Sequence, residues 1–110
     1  MATIAKITIV GYIGTANGKE IVNKETAEVS KVISFSVAVN YTKKGIDYVD
    51  WYDCEVYNRS NLDVLWFEKG KQIFVEGNFR LDNYTSKDGS NKVSAHITVD
   101  KLLFLGKKEP

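Results

Sequence analysis

Apolar and polar residues in this chain mostly alternate, the period of a strand with one buried and one solvated face. Ile4, Lys6, Thr8, Val10 and Tyr12 alternate with Ala5, Ile7, Ile9, Gly11 and Ile13, which predicts a first strand mixed on both faces. Residues 14–28 have Ile21-Val22 as their only apolar pair and open on Gly14-Thr15-Ala16-Asn17-Gly18, so they read as a turn followed by a loose ribbon or edge strand. Over residues 31–41 the pattern sharpens. Ile33, Phe35, Val37 and Val39 share one face, while Ser34, Ser36, Ala38 and Asn40 share the other. Thr42-Lys43-Lys44-Gly45 is a turn, and residues 48–57 form the third β-rich run.

Residues 60–70 break the alternation. Ser60 or Asn61 can cap a helix, Leu62, Leu65 and Trp66 fall at helical spacing, and Gly70 can close it, so one short helix is predicted. Residues 71–81 are a further strand, with Gly77 placed for a bulge or bend. Ser86-Lys87-Asp88-Gly89-Ser90-Asn91 is the strongest turn signal, so residues 81–84 and 92–99 should pair as a long hairpin. Residues 102–105 continue the last strand, and 106–110 are expected to carry no structure.

Five β segments with a single helix between the third and fourth do not fit a parallel α/β plan, which needs a helix after each strand. An immunoglobulin-like sandwich needs about seven strands and no helix there. The order fits an all-β, five-stranded Greek-key barrel of the OB type. At 110 residues the chain makes one domain, read as residues 1–106 with a short tail at 107–110.

Composition narrows the class. Hydrophobic residues at 44% and charged ones at 26% are ordinary for a globular domain. No apolar run approaches the ~20 residues of a membrane span, and the start lacks the features of a secretory signal. A single cysteine excludes an internal disulfide and suits a reducing compartment, so a cytoplasmic, nucleoid-associated location with no membrane contact is expected. The net charge is only +1, which does not announce a polyanionic partner. The aromatics are more telling: six Tyr, five Phe and two Trp exceed what one small core needs, so some should be displayed.

Catalytic chemistry is not indicated. His96, the only histidine, sits two residues from Ser94 with no orienting carboxylate apparent in the sequence, so it reads as a strand histidine. Cys54 lies between Asp53 and Glu55, whose charges would raise a thiol pKa, and reads as a core residue. Gly11-Tyr12-Ile13-Gly14 lacks the further glycine and lysine of a phosphate loop, and its glycines are read as turn glycines. The acids are scattered without metal spacing. The reading is a non-enzyme with no cofactor and no metal.

Binding chemistry is indicated. Trp51, Asp53, Glu55 and Tyr57 share one face of the third strand, and Tyr52, Cys54 and Val56 share the other. Carboxylates are costly to bury unpaired, so the first set should face solvent and carry Trp51 and Tyr57 with it. Exposed rings on a sheet suit stacking of unpaired bases, though a protein-binding patch or plain cross-strand pairing would use the same residues. Tyr84 adds weight, because it stands at the base of the 86–91 turn with Lys87 and Lys92 nearby. Lys43 and Lys44 lie between Tyr41 and Tyr48, and Arg59 and Arg80 follow aromatics closely. Aromatics interleaved with cations describe a groove that stacks bases and follows phosphates. Asp47, Asp50, Asp53 and Glu55 oppose this by repelling phosphate, unless Asp53 and Glu55 pair with Arg59 or Arg80.

Several segments together resemble the bacterial-type single-stranded DNA-binding protein (SSB) family over essentially the whole chain. Phe35-Ser36-Val37-Ala38-Val39-Asn40 resembles its F-x-L-A-V-N strand, and Asp50-Trp51-Tyr52-Asp53-Cys54-Glu55-Val56-Tyr57 its aromatic-bearing third strand. Residues 69–80, Lys-Gly-Lys-Gln-Ile-Phe-Val-Glu-Gly-Asn-Phe-Arg, resemble its K-G-x-x-V-x-V-E-G-x-L-R block, the most specific of the set. Tyr84, Lys87-Asp88-Gly89 and Leu103-Phe104-Leu105-Gly106 complete the order. The resemblance implies an OB fold that binds and protects single-stranded DNA without sequence specificity in replication, recombination and repair. It also implies a homo-oligomer, in the family's usual form a tetramer. Its base-stacking positions carry over to Trp51, Tyr57 and Tyr84, with Tyr41 standing in for a fourth whose place is taken by Lys43. Lys43, Lys44, Arg59, Arg80, Lys87 and Lys92 are the expected phosphate contacts. The family's acidic C-terminal tip is not seen in residues 107–110, so tail-mediated recruitment is not carried over. An OB-fold adaptor of the replication machinery and a single-stranded RNA binder remain the alternatives.

Overall fold

The computed structural model describes residues 4–57 and 63–108. Five strands dominate it: β1 (Lys6–Val22), β2 (Val29–Lys43), β3 (Ile46–Tyr57), β4 (Lys71–Thr85) and β5 (Asn91–Lys108). They close into a barrel in the order β1-β2-β3-β5-β4. Neighbours are antiparallel except β3 and β5, which run parallel. β1 serves two partners, pairing through residues 6–12 with β4 and from Tyr12 onward with β2. This is the OB arrangement anticipated from the strand order.

The alternating side chains build one interior. Ile9 and Ile13 of β1, Phe35 and Val37 of β2, Cys54 and Val56 of β3, Ile73 and Val75 of β4, and Ile97 and Val99 of β5 are all buried in a single cluster. Gly77 sits where the register slips, as its sequence position suggested: Glu76 pairs with Lys101 but Gly77 pairs with Val99, leaving Asp100 as the extra residue. The slip reverses the pleat of β5. Odd positions 97 and 99 point inward before it, and Leu102 and Phe104 pack on the core after it. A methyl on Gly77 would lie 2.1 Å from the Thr98 carbonyl oxygen, so the strands can approach this closely only without a side chain.

Three local expectations are corrected. Residues 14–22 form no turn: β1 continues through Val22, with an irregularity between Ile13 and Ala16, because pairing with β2 supplies the ladder hydrogen bonds that the polar sequence could not promise. Gly11 and Gly14 therefore lie within a strand. The actual reversal is at residues 23–28, where the Asn23 side chain accepts from the amides of Glu25 and Thr26 and Ala27 takes a φ of 61°. At the other end, β5 runs through Lys108, three residues past the expected stop at 105, with Lys108 paired to Lys71.

The segment predicted as a short helix contributes a single 3-10 turn, Val64–Trp66. Its cap is Asp63, whose carboxylate accepts from the Leu65 amide at 2.9 Å; the capping expected of Ser60 or Asn61 lies outside the described residues. The turn delivers Phe67 into the core, against Phe35 at 4.8 Å and Phe104 at 5.1 Å between ring centroids. The Gly70 amide then donates to the Ile13 carbonyl, fastening the turn to β1.

Two tight reversals fix the hairpins beyond the barrel. Lys44 and Gly45 both adopt positive φ, 52° and 76°, in a two-residue loop whose twist matches its strands. At the β4–β5 tip, Asp88 accepts from the Ser86 hydroxyl and from the Ser90 amide, and these bonds hold its carboxyl down at about 2.

Candidate nucleic-acid interface

Pairing register decides which side chains share a face. Ala38 lies directly opposite Trp51, and Asp53 pairs with His96, which in turn pairs with Arg80. Side chains alternate along each strand, so the outer face of the sheet presents Trp51, Asp53, Glu55 and Tyr57 from β3. It presents Lys92, Ser94, His96 and Thr98 from β5, and Arg80, Asp82 and Tyr84 from β4. Trp51 is 57% exposed, Tyr57 43% and Tyr84 50%. Six residues of extended chain at ~3.3 Å each set Trp51 and Tyr57 about 20 Å apart. Tyr84 faces Lys92 across the hairpin that borders the Trp51 end.

An open groove of about 460 Å³ runs between β3 and the β4–β5 arm, lined by Trp51, Asp50, Asp53, Phe79, Leu81 and Val93 among others. One edge is aromatic, the floor is apolar, and two carboxylates stand beside the ring. It can hold a flat apolar group, while Asp50 and Asp53 oppose an anion there.

The charged groups of this face are largely engaged with one another. The Tyr57 hydroxyl donates to Glu55 through a very short contact. That bond favours the neutral phenol and is the leading reason the Tyr57 pKa is raised; partial burial and the Glu55 charge add to it, and Arg80 opposes it. Arg80 does not pair with Asp53 or Glu55, one of the pairings that would have offset their repulsion of phosphate. Its Nε lies 3.3 Å from Asp82 and its Nη1 3.5 Å from the Thr98 hydroxyl, because residues two apart on one strand share a face. Asp53 keeps no such partner among the described residues. Arg59 lies outside them.

His96 does meet a carboxylate, which the sequence did not indicate. Asp82 approaches its Nε2 at 3.3 Å, but the Ser94 hydroxyl binds that same nitrogen at 3.1 Å. A relay needs the acid on one ring nitrogen and the hydroxyl on the other, so this trio cannot activate Ser94. Cys54 is buried, and desolvation followed by the Asp53 charge pushes its thiol up to about 12, the opposite of a nucleophile.

Not every expected residue joins this face. Tyr41 and Lys43 have the parity of the inward-facing residues of β2, so they lie on the other side of the hairpin from Trp51. Tyr41 stacks on Tyr48 at 5.3 Å with 17° between the rings. Lys44 and Lys87 occupy turns at the hairpin tips, both exposed. Sequence reasoning missed Asp82, Ser94 and Thr98, each two residues from a member of the face on its own strand, a spacing that could have found them.

Known proteins share the sequence family and the fold. A profile of the "Single-strand binding protein family" matches residues 4–105. A single-stranded DNA-binding protein of the onion yellows phytoplasma is 26% identical over 104 residues, covering 94% of this chain and 95% of that protein. One from Chlamydia pneumoniae is 33% identical over 96 residues, covering 86% of this chain but 57% of its own length. Among solved structures, the Plasmodium falciparum SSB in complex with ssDNA superposes with a TM-score of 0.66 at 20% identity, covering 96% of this chain and 98% of that one. The mitochondrial protein Rim1 of S. cerevisiae superposes with a TM-score of 0.63 at 22% identity, covering 94% and 97%.

Proposed function

Because the chain belongs to the single-strand binding protein family, a family of binding proteins rather than enzymes, we propose that it coats single-stranded DNA without reading sequence, during replication, recombination and repair. The observation that carries this reading is the exposure of Trp51, Tyr57 and Tyr84 on one outer face of the sheet. Every base has a π-face, so a row of open rings takes any sequence, at ~1–3 kcal/mol per stacked base. Arg80 and Lys92 stand on the same face, and Lys44 and Lys87 at the hairpin tips extend the path for phosphates. Tyr41 and Lys43 engage a strand only where it passes around the β2–β3 hairpin to its other side.

The same reading includes self-association, as a tetramer. It is supported by apolar side chains left in solvent away from the stacking row, Val10 at 45%, Leu103 at 50% and Leu105 at 43% exposure. Among the described residues no helix is long and apolar enough to cross a membrane, and the proposed setting is the cytoplasm, on the nucleoid.

The test is a titration of intrinsic fluorescence with dT oligomers of increasing length at two salt concentrations, with matched RNA as competitor. Quenching at saturation, affinity rising with length and falling with salt are expected, since neutralised phosphates release counterions. Unchanged emission with dT, or displacement of dT by equimolar RNA, contradicts it.

A further inference from the structure

Resting on that reading of Trp51 as a stacking residue, we infer that Gly14 is its positioning residue: the missing side chain at position 14 is the space that holds the indole against the sheet. Gly14 is one of the glycines the sequence marks as a turn, yet it lies in β1 and has no positive φ. Its backbone therefore does not call for glycine, and another reason is needed.

The reason is the tryptophan. A methyl on Gly14 would come within 2.5 Å of Trp51 Cζ3 and 2.9 Å of Cη2, so the far end of the ring rests on the bare α-carbon two strands away. The strand between offers only small side chains there. Ala38 pairs directly with Trp51, and Ser36 would stand 2.8 Å from that same methyl. Ser36 is itself fixed, since its hydroxyl accepts from the Thr15 amide at 3.0 Å and meets the Thr15 hydroxyl at 3.1 Å. The irregularity between Ile13 and Ala16 brings Gly14 and Thr15 to this place. Trp51 is thus more than half exposed yet lodged in a slot. A ring already held in one orientation surrenders less rotamer freedom when a base stacks on it.

A side chain at 14 displaces the easiest thing to move. The clash falls on two side chains, the outer end of the indole and the Ser36 hydroxyl, and not on backbone, so the indole swings, the hydroxyl turns from its exposed bonds to Thr15, and the strand stays. Alanine suits a β conformation, and replacing glycine with it also restricts the unfolded chain.

The experiment is a double-mutant cycle on Trp66→Phe protein, where Trp51 is the sole tryptophan. Affinity for oligo-dT and melting temperature are measured for Gly14→Ala, Trp51→Ala and the pair, and the Trp51 emission maximum for the parent and Gly14→Ala, the two proteins that keep the ring. Gly14→Ala should keep its melting temperature, shift the Trp51 emission and weaken dT binding about 3- to 10-fold, a fraction of a full stacking contribution. The double variant should bind no worse than Trp51→Ala alone. Losses that multiply, or a Gly14→Ala protein that folds and binds like its parent, overturn the inference and leave the stacking role of Trp51 standing. Trp51→Ala binding as tightly as its parent overturns both. If Gly14→Ala does not fold, Ala38→Val, which crowds the ring from directly opposite with a good strand former, takes its place in the cycle, with the same outcomes supporting or overturning the inference.

Discussion

The two faces of β3 are made from one stretch of chain and do opposite work. Tyr52, Cys54 and Val56 point into the barrel, and the last two are 1% exposed. Trp51, Asp53, Glu55 and Tyr57 point outward, and the largest of them is 57% exposed. The contrast lies in what each face can tolerate. The inner face admits no unpaired charge, and the outer one holds two carboxylates on the same face as rings that would otherwise seek burial, one of them bonded to the Tyr57 hydroxyl. Alternating charge between aromatics keeps the rings out of the interior and available.

The sharpest way to break this contrast is to put a charge on the wrong side. Val56→Asp is expected to abolish folding at 25 °C, a loss above about 4 kcal/mol, while Asp53→Val, three positions earlier on the opposite side of the pleat, should change stability by less than about 0.5 kcal/mol. Urea unfolding followed by circular dichroism measures both. Next in size, Trp51→Ala should lose ~1–3 kcal/mol of oligo-dT binding at nearly constant stability, which separates a displayed ring from a structural one. Asp53→Asn should tighten binding a few-fold at low salt, with the gain shrinking as salt rises, because it removes a negative charge that has no ion-pair partner among the described residues. A tightening that survives high salt would assign Asp53 some role other than repulsion.

The smallest effect concerns the inner face at neutral pH. With its pKa near 12 against an ordinary value of 9.0, the Cys54 thiol binds its proton more tightly folded than unfolded. Its contribution to stability is therefore whole below pH 9 and is lost as pH rises from there through about 12. A thiol reagent at pH 8 should leave folded protein unmodified and react once denaturant is added.

Much of this was legible in the chain. Period-two alternation placed Val37 and Val39 with Phe35, separated Cys54 from Asp53, and put Trp51 and Tyr57 outside, while Tyr84 was read from its place at the base of the 86–91 turn. What escaped was set by partners distant in sequence. The polar run after Gly14 becomes strand only because β2 lies alongside to pair with it. The short helical element expected after the third strand is the 3-10 turn at 64–66, but nothing local said that Phe67 would follow it into the barrel. Arg80 turned to Asp82 on its own strand and not to the acids of β3, a choice that depends on sheet register. The glycine at 14 carried a signal, a strand position with no side chain, that became readable once the ring two strands away was known.

Closure of the barrel has a consequence of its own. β3 and β5 meet through three residue pairs, Asp53 with His96, Cys54 with Ile97 and Glu55 with Thr98, whereas every other seam is longer. This short zipper lies midway between Trp51 and Tyr57. A polymer gripped at both ends of that span pulls along the shortest stitching in the cylinder, so tension on the bound strand would be felt first at the joint that makes the cylinder complete.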